Sequence, residues 1–553
     1  MEEIKLQYLN TILLYLLTLF LAVFAISGCS EGPYQLGSKI TAPAIAPAVE
    51  IWKPYNFAMV WRRPIASDET RADIYMFLAP DTIDTTRISE ASVDTGTLEL
   101  VFLGKDRYFL AWIDRSNDGG SLLRWQIRKR TNRIDPEEES SPLWIVEKEG
   151  GYEPPVGNSV VEIAAAYQPN VTVAEYFQTE TSPATMGEKV LLPFLLRDAD
   201  TFGPCSFIRG EPKCKLLALV VDVREGEEFG FQREVEGASS GPTRGLSIAA
   251  GGGGDDGRDG FLVTYANSLM TSPDGVNTVI AESYTADGVS RGATNFISIT
   301  GKTDCADELE VIENDNVSVA GSVSVNGTQK NFIDTSVAYD SENERYLVGY
   351  ITNCNSHYFR ARLVHEIKSE RQSDEGAVVL ESSGKWVVSG VDPNAFPYAI
   401  NPEGDVIKPP FHIGRSAHAP MLACDANFDS LGSVFIAAYA TSAQINHEIE
   451  RDMLYAQFLK YDGTILSAEP IRVLDEDTTE FDAYGNLYYR DYLSGDLVDH
   501  PGENRFYITW SETRHIVPCE RNTDGKCEDP DWDSKTVSQP SGYYWWYDSV
   551  PSR

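Results

Sequence analysis

Along this chain short apolar runs alternate with clusters of turn-forming residues, and the apolar runs share an ending. Tyr339 to Tyr350 shows the unit. An apolar segment closes in the polar turn Asp340-Ser341-Glu342-Asn343-Glu344, and Arg345-Tyr346-Leu347-Val348-Gly349-Tyr350 follows. The second segment is aromatic and β-branched, bounded by turn residues, which predicts a strand entered through a hairpin. The same ending recurs as FAMVW to Trp61, YFLAW to Trp112, VLLPF to Phe194, FLVTY to Tyr265, YLVGY to Tyr350, FIAAY to Tyr439 and FYITW to Trp510. These seven copies lie 51 to 89 residues apart. Asp-Gly pairs at Asp287-Gly288 and Asp462-Gly463 predict further hairpins. No helical period stands out after Cys29.

Four strand-like runs per copy predict seven four-stranded antiparallel sheets, with six to eight open because the fifth copy carries two candidate pairs of outer strands. A sheet that is apolar on both faces cannot bury both alone. Packing successive sheets around an axis buries all of them, and closing the ring removes the exposed ends. The predicted fold is therefore all-β, a single β-propeller. The closing aromatics would fill the space between neighbouring blades. The pattern resembles bacterial propeller repeats of the VAYD…YLVxY…DG type over most of residues 51 to 549, a likeness that implies fold more than function. Extra hairpins are expected near 301–332 and 355–412.

The N-terminal pattern is different. Leu13 to Ile26 is a continuous apolar run with the length of a signal-peptide core. It leads into Ile26-Ser27-Gly28-Cys29-Ser30, which resembles the bacterial lipobox. That resemblance implies cleavage after residue 28, acylation (palmitate or a similar chain) on Cys29, and, with Ser30 following, sorting to the outer membrane. Residues 29–50, rich in Pro and Ala toward their end, are expected to act as a tether, with the propeller occupying 51–553.

Composition fits an exported globular protein. Hydrophobic residues make up 42 % and charged residues 23 % of the 553, so the chain can bury a core. Acids outnumber bases 83 to 46, and a net charge of −37 excludes nucleic acid as a partner and favours cations or basic surfaces. Among the cysteines, Cys205 with Cys214 and Cys519 with Cys527 are spaced for short disulfide loops, Cys305 and Cys354 are candidates for a third bond, and Cys424 is left over in a buried strand.

Candidate chemistry is sparse. Asp529, Asp531 and Asp533 alternate beside a cysteine loop and could hold Ca2+, although Ser534 and Pro540 stand where an EF-hand needs Gly and Glu. Trp61-Arg62-Arg63-Pro64-Ile65, Ser116-Asn117-Asp118-Gly119-Gly120 and Ser272-Pro273-Asp274-Gly275 resemble sialidase motifs with order or ending wrong, and read as ordinary turns. The run Tyr543-Tyr544-Trp545-Trp546-Tyr547 reads as a final blade strand in preference to a sugar-stacking platform. No catalytic signature appears, and with 83 acids the sequence singles out no carboxylate pair. The sequence thus favours a membrane-anchored binding or scaffold module for a protein or glycan partner. The alternative is an exported carbohydrate-active hydrolase or lyase using acids at the propeller axis, recognisable by converging carboxylates of which one holds its proton.

Overall fold

A computed structural model describes the strands between Ile45 and Tyr547 and a minority of the turns joining them, chiefly 153–158, 341–344 and 461–464; residues 1–44 and 548–553 lie outside the described residues. Among the described residues the regular elements are β-strands throughout. Apart from two short hairpins, Phe207–Ile208 with Glu211–Pro212 and Cys519–Arg521 with Cys527–Pro530, they form seven antiparallel sheets of four or five strands.

The sheets are meanders in chain order, except that in the seventh Thr536–Val537 and Ser541–Tyr547 share one edge of Arg505–Val517. The first runs Ile45–Lys53, Asn56–Ile65, Asp68–Leu78, Thr86–Ser92, and the second Leu98–Gly104, Arg107–Arg115, Ser121–Arg130, Trp144–Tyr152. In the third, Ser159–Ile163 and Ala166–Gln168 share the edge of Lys189–Arg197, followed by Cys214–Asp222 and Gln232–Ser240. The fourth starts Arg244–Gly251, Gly260–Ser268, and the fifth Asn331–Asp340, Arg345–Asn353. The sixth starts Met421–Asp425, Val434–Asn446, and the seventh Leu487–His500, Arg505–Val517. The seven recurring segments are the second strands of the seven sheets.

Strand alternation sends each second strand's side chains to two different neighbours. In Arg107–Arg115, Tyr108, Leu110 and Trp112 join Ala58, Val60 and Ile74 of the first sheet, while Phe109, Ala111 and Ile113 join Val190, Leu192 and Phe194 of the third. Six apolar clusters arise this way, one between each consecutive pair of sheets. In the second to seventh sheets the closing aromatic points to the preceding sheet: Trp112, Phe194, Tyr265, Tyr350, Tyr439 and Trp510 sit in the clusters shared with the first to sixth. All seven aromatics are at most 3 % exposed. Burial of 150–250 Å2 at about 25 cal/mol per Å2 stabilises by roughly 4–6 kcal/mol each before the entropy cost.

The first strands also meet. Leu98–Gly104 packs on Ile45–Lys53, and the contacts continue sheet by sheet to Leu487–His500, which lies against Ile45–Lys53. In the first sheet, Ala58 and Val60 face the second sheet, so Met59 and Trp61 face the other way, and both are fully buried.

Three expectations change. Ile45–Lys53 is a strand, so the folded body takes in the end of the stretch read as tether. His357–Gln372 and Val378–Gly390 are the third and fourth strands of the fifth sheet and not an insertion; the second candidate pair, within 396–415, and nearly all of 301–330 lie outside the described residues, save Glu310–Val311 at the edge of the fourth sheet. Trp61 to Ile65 is the end of a strand, not a turn, and Arg62 is fully buried there.

Candidate functional site

Acidic residues interrupt the apolar first strands at two levels. Glu99, Glu162 and Asp496 lie toward the closing aromatics: Leu98 pairs with Trp112, Ile163 with Phe194 and Gly495 with Trp510. Asp340, Asp425 and Asp499 lie at the far ends, where the chain turns into the second strands.

Glu99 follows Leu98 in a strand whose other residues pack into the clusters on either side. The third sheet's first strand is broken between Ile163 and Ala166, which frees the Ala165 N–H from the ladder, and Glu99 accepts it. Glu99 keeps some accessible surface yet lies deep among the strands. Burial pushes its carboxyl well above the usual range, Asp496 and then Glu162 push it further, and the Ala165 hydrogen bond only partly offsets them. Glu99 is therefore a carboxylic acid that keeps its proton to higher pH than a solvated glutamate, within electrostatic reach of Asp496 on the seventh sheet.

The neighbouring acids are more committed. Glu162 accepts the N–H groups of Gly245 (3.2 Å) and Leu246 (2.5 Å) and so ties the third sheet to the fourth. Asp496 Oδ1 accepts the Leu497 N–H at 2.8 Å. At the other level, Asp340 accepts the N–H groups of Glu342 and Asn343 within its turn and the Ser433 hydroxyl of the sixth sheet at 2.8 Å. Burial, then Asp425, pushes Asp499 up to about 7. Burial, then Asp340, Asp499 and Asp425, pushes up the thiol of Cys424, which is free and buried. A thiol kept protonated this way is a poor nucleophile.

Of the residues singled out from sequence, Cys214 and Cys519 are disulfide-bonded, and Cys527 stands in the strand paired with Cys519–Arg521. Cys29, Cys205, Cys305 and Cys354 lie outside the described residues, as does Asp533. Asp529 pairs with Glu520 in that hairpin, and Asp531 accepts the Ser534 N–H at 3.2 Å. Among the described residues no group of three His, Cys, Asp or Glu side chains is placed to hold a metal ion. Tyr543 to Tyr547 form a strand paired with Phe506 to Trp510. Glu99, Asp496 and Asp499 were not distinguished by sequence; the signal was there only as an acid inside an otherwise apolar first strand.

No family model and no curated protein matches the chain. Among solved structures, a thermostable family-43 glycoside hydrolase is similar at 10 % identity, covering 63 % of this chain and 96 % of that one, with a TM-score of 0.26. The Cellvibrio cellulosa alpha-L-arabinanase complexed with arabinohexaose gives the same values. The NanB sialidase from Streptococcus pneumoniae is 10 % identical, covering 93 % of this chain and 70 % of that one, with a TM-score of 0.31. At these TM-scores none of the three bears on what this chain binds or turns over.

Proposed function

We propose that this chain is an exported lipoprotein, anchored through Cys29 to the outer membrane, whose seven sheets close into a β-propeller with a glycan-hydrolysing acid pair on its axis. Glu99 is the general acid and Asp496 the carboxylate partner. The observation that carries the reading is a buried Glu99 on the second sheet's first strand, tied to the Ala165 N–H and within electrostatic reach of Asp496 on the seventh sheet, in an environment that holds a proton on Glu99. Two carboxyls whose surroundings push one toward the protonated form are what glycosidic bond cleavage asks for. Closure is supported by the packing of Leu487–His500 on Ile45–Lys53 and by the burial of Met59 and Trp61 on the face away from the second sheet.

The second reading, a binding or scaffold module, draws on Glu162: its carboxylate is taken up by two backbone N–H groups, as a structural strut would be. One experiment separates the two. The full chain in detergent is assayed for reducing-sugar release on a panel of neutral and acidic polysaccharides between pH 4 and 9, with glycan binding measured in parallel. Turnover by the wild type that falls about 100-fold or more in Glu99→Gln is the expected result. Binding without turnover, unchanged in Glu99→Gln, replaces the hydrolase with the binding module.

A further inference from the structure

The residue before each closing aromatic stands opposite one level of its sheet's first strand. Ala111 pairs with Glu99, Thr264 with Ser247 and Thr509 with Asp496. The third sheet has Pro193 at this position, the one proline among the seven. Proline is ordinarily confined to edge strands, yet Lys189–Arg197 is paired on both sides. The register names its partner. Phe194 pairs with Ile163 and Leu191 with Ala166, so Pro193 stands opposite Ala164.

Two residues facing each other at a hydrogen-bonded rung exchange two bonds. Here one is made: the Ala164 N–H donates to the Pro193 carbonyl at 3.1 Å. The return bond cannot form, because proline has no N–H. Ala164 is buried, and among the described residues no other backbone donor reaches its carbonyl. The missing bond explains why pairing lapses at Ala164 and Ala165 although the register runs straight through.

The Ala164 carbonyl and the Ala165 N–H belong to one planar, trans peptide and point opposite ways. The carbonyl faces the bare nitrogen of Pro193, and the N–H goes to Glu99. An amide whose carbonyl accepts a hydrogen bond is polarised and donates more strongly through its N–H, by about 10–30 % per bond. The peptide that serves Glu99 lacks that polarisation. A stronger donor would favour the carboxylate, since a hydrogen bond to the charged form stabilises it.

We infer that Pro193 is a positioning residue for Glu99: by withholding one ladder bond from the Ala164–Ala165 peptide it keeps that donor weak and favours the carboxylic acid over the carboxylate. This role rests on Glu99 as the acid of the proposed site.

Asp496 and Glu162 act on Glu99, and Glu50 and Lys53 stand on the strand packed beside it. Pro193→Ala leaves all four in place, so comparison with the wild type isolates the peptide. Alanine already occupies this position in the second and sixth sheets, as Ala111 and Ala438. Unfolding free energies of the full chain in detergent are measured from pH 4 to 10 for the wild type, Pro193→Ala, Glu99→Gln and the double variant, with folding checked by circular dichroism. Pro193→Ala is expected to weaken proton binding at Glu99 about two- to threefold. Its stability relative to the wild type then rises by about 0.4–0.7 kcal/mol from the acid to the alkaline end, because a lowered folded-state affinity loses less as the proton leaves. In the Glu99→Gln background the effect of Pro193→Ala is expected to be the same at every pH, since only the strand's own gain or loss remains. If Pro193→Ala does not fold, Pro193→Thr, the residue of the fourth and seventh sheets, takes its place. The role is overturned if the relative stability stays flat or falls with pH, or if its rise survives Glu99→Gln. The readout is proton binding and not turnover, so failure of the hydrolase reading and failure of this role show separately.

Discussion

At the residue scale, the closing aromatics do the most for stability and are the most readable in the sequence. Trp112 shares one face of its strand with Tyr108 and Leu110 and packs with them against the first sheet's Ala58, Val60 and Ile74. Trp112→Ala removes that filling from a space that cannot collapse, and a loss of about 3–5 kcal/mol in chemical denaturation is expected. The exposed Val156, changed to alanine as a control, is expected to stay within about 0.5 kcal/mol. A Trp112→Ala loss no larger than the control's would remove the aromatic from its structural role. Sequence revealed these residues because each closes a local pattern. It hid Glu99 for the opposite reason: what marks that acid is its neighbours, and those come from other sheets.

At the element scale, each sheet presents two apolar faces by alternation, and polar struts fix neighbours in register. Glu99 reaches Ala165, Glu162 reaches Gly245 and Leu246, the Val337 N–H donates to Ser247 Oγ, and Ser433 donates to Asp340. The second strands were legible from their aromatic ends and the hairpins from Asp-Gly. The first strand of the first sheet was not, since Ile45–Lys53 opens on Ile-Ala-Pro-Ala-Val, a composition shared with linkers. The fifth sheet's outer strands were ambiguous because two adjacent segments both carried strand periodicity, and pairing with Arg345–Asn353 selects one.

Between the sixth and seventh sheets, Asp425 and Asp499 put like charges together. The unfolded chain releases the Asp499 proton near 3.8, whereas the folded protein holds it to about 7. Stability contributed by that proton is present below pH 4 and lost as pH rises through 7. Asp499→Asn is expected to flatten this part of the melting temperature–pH curve and to exceed the wild type at pH 8. Parallel curves for the two proteins across pH 4 to 8 would contradict the placement of Asp499.

At the scale of the whole molecule, the repeat count and the all-β class were written in the spacing of seven aromatics, because one sheet's problem of two apolar faces has the same solution every time. The candidate site was not written there. Glu99 and Asp496 are separated by nearly the entire folded body, and in the proposed ring it is the return of the seventh sheet to the first that puts them within electrostatic reach. Closure and acid pair are therefore one claim, and a double-mutant cycle reads both. Unfolding free energies of the wild type, Glu99→Gln, Asp496→Asn and the double variant are measured from pH 4 to 9. Because the folded protein holds the Glu99 proton above its unfolded value, wild-type stability should fall as pH rises past the ordinary glutamate range, and each single change should recover part of it. At pH 8 a coupling of about 0.5–3 kcal/mol is expected, the double variant gaining less than the sum of the singles. Strict additivity at every pH would place the two acids apart, and with them the second and seventh sheets.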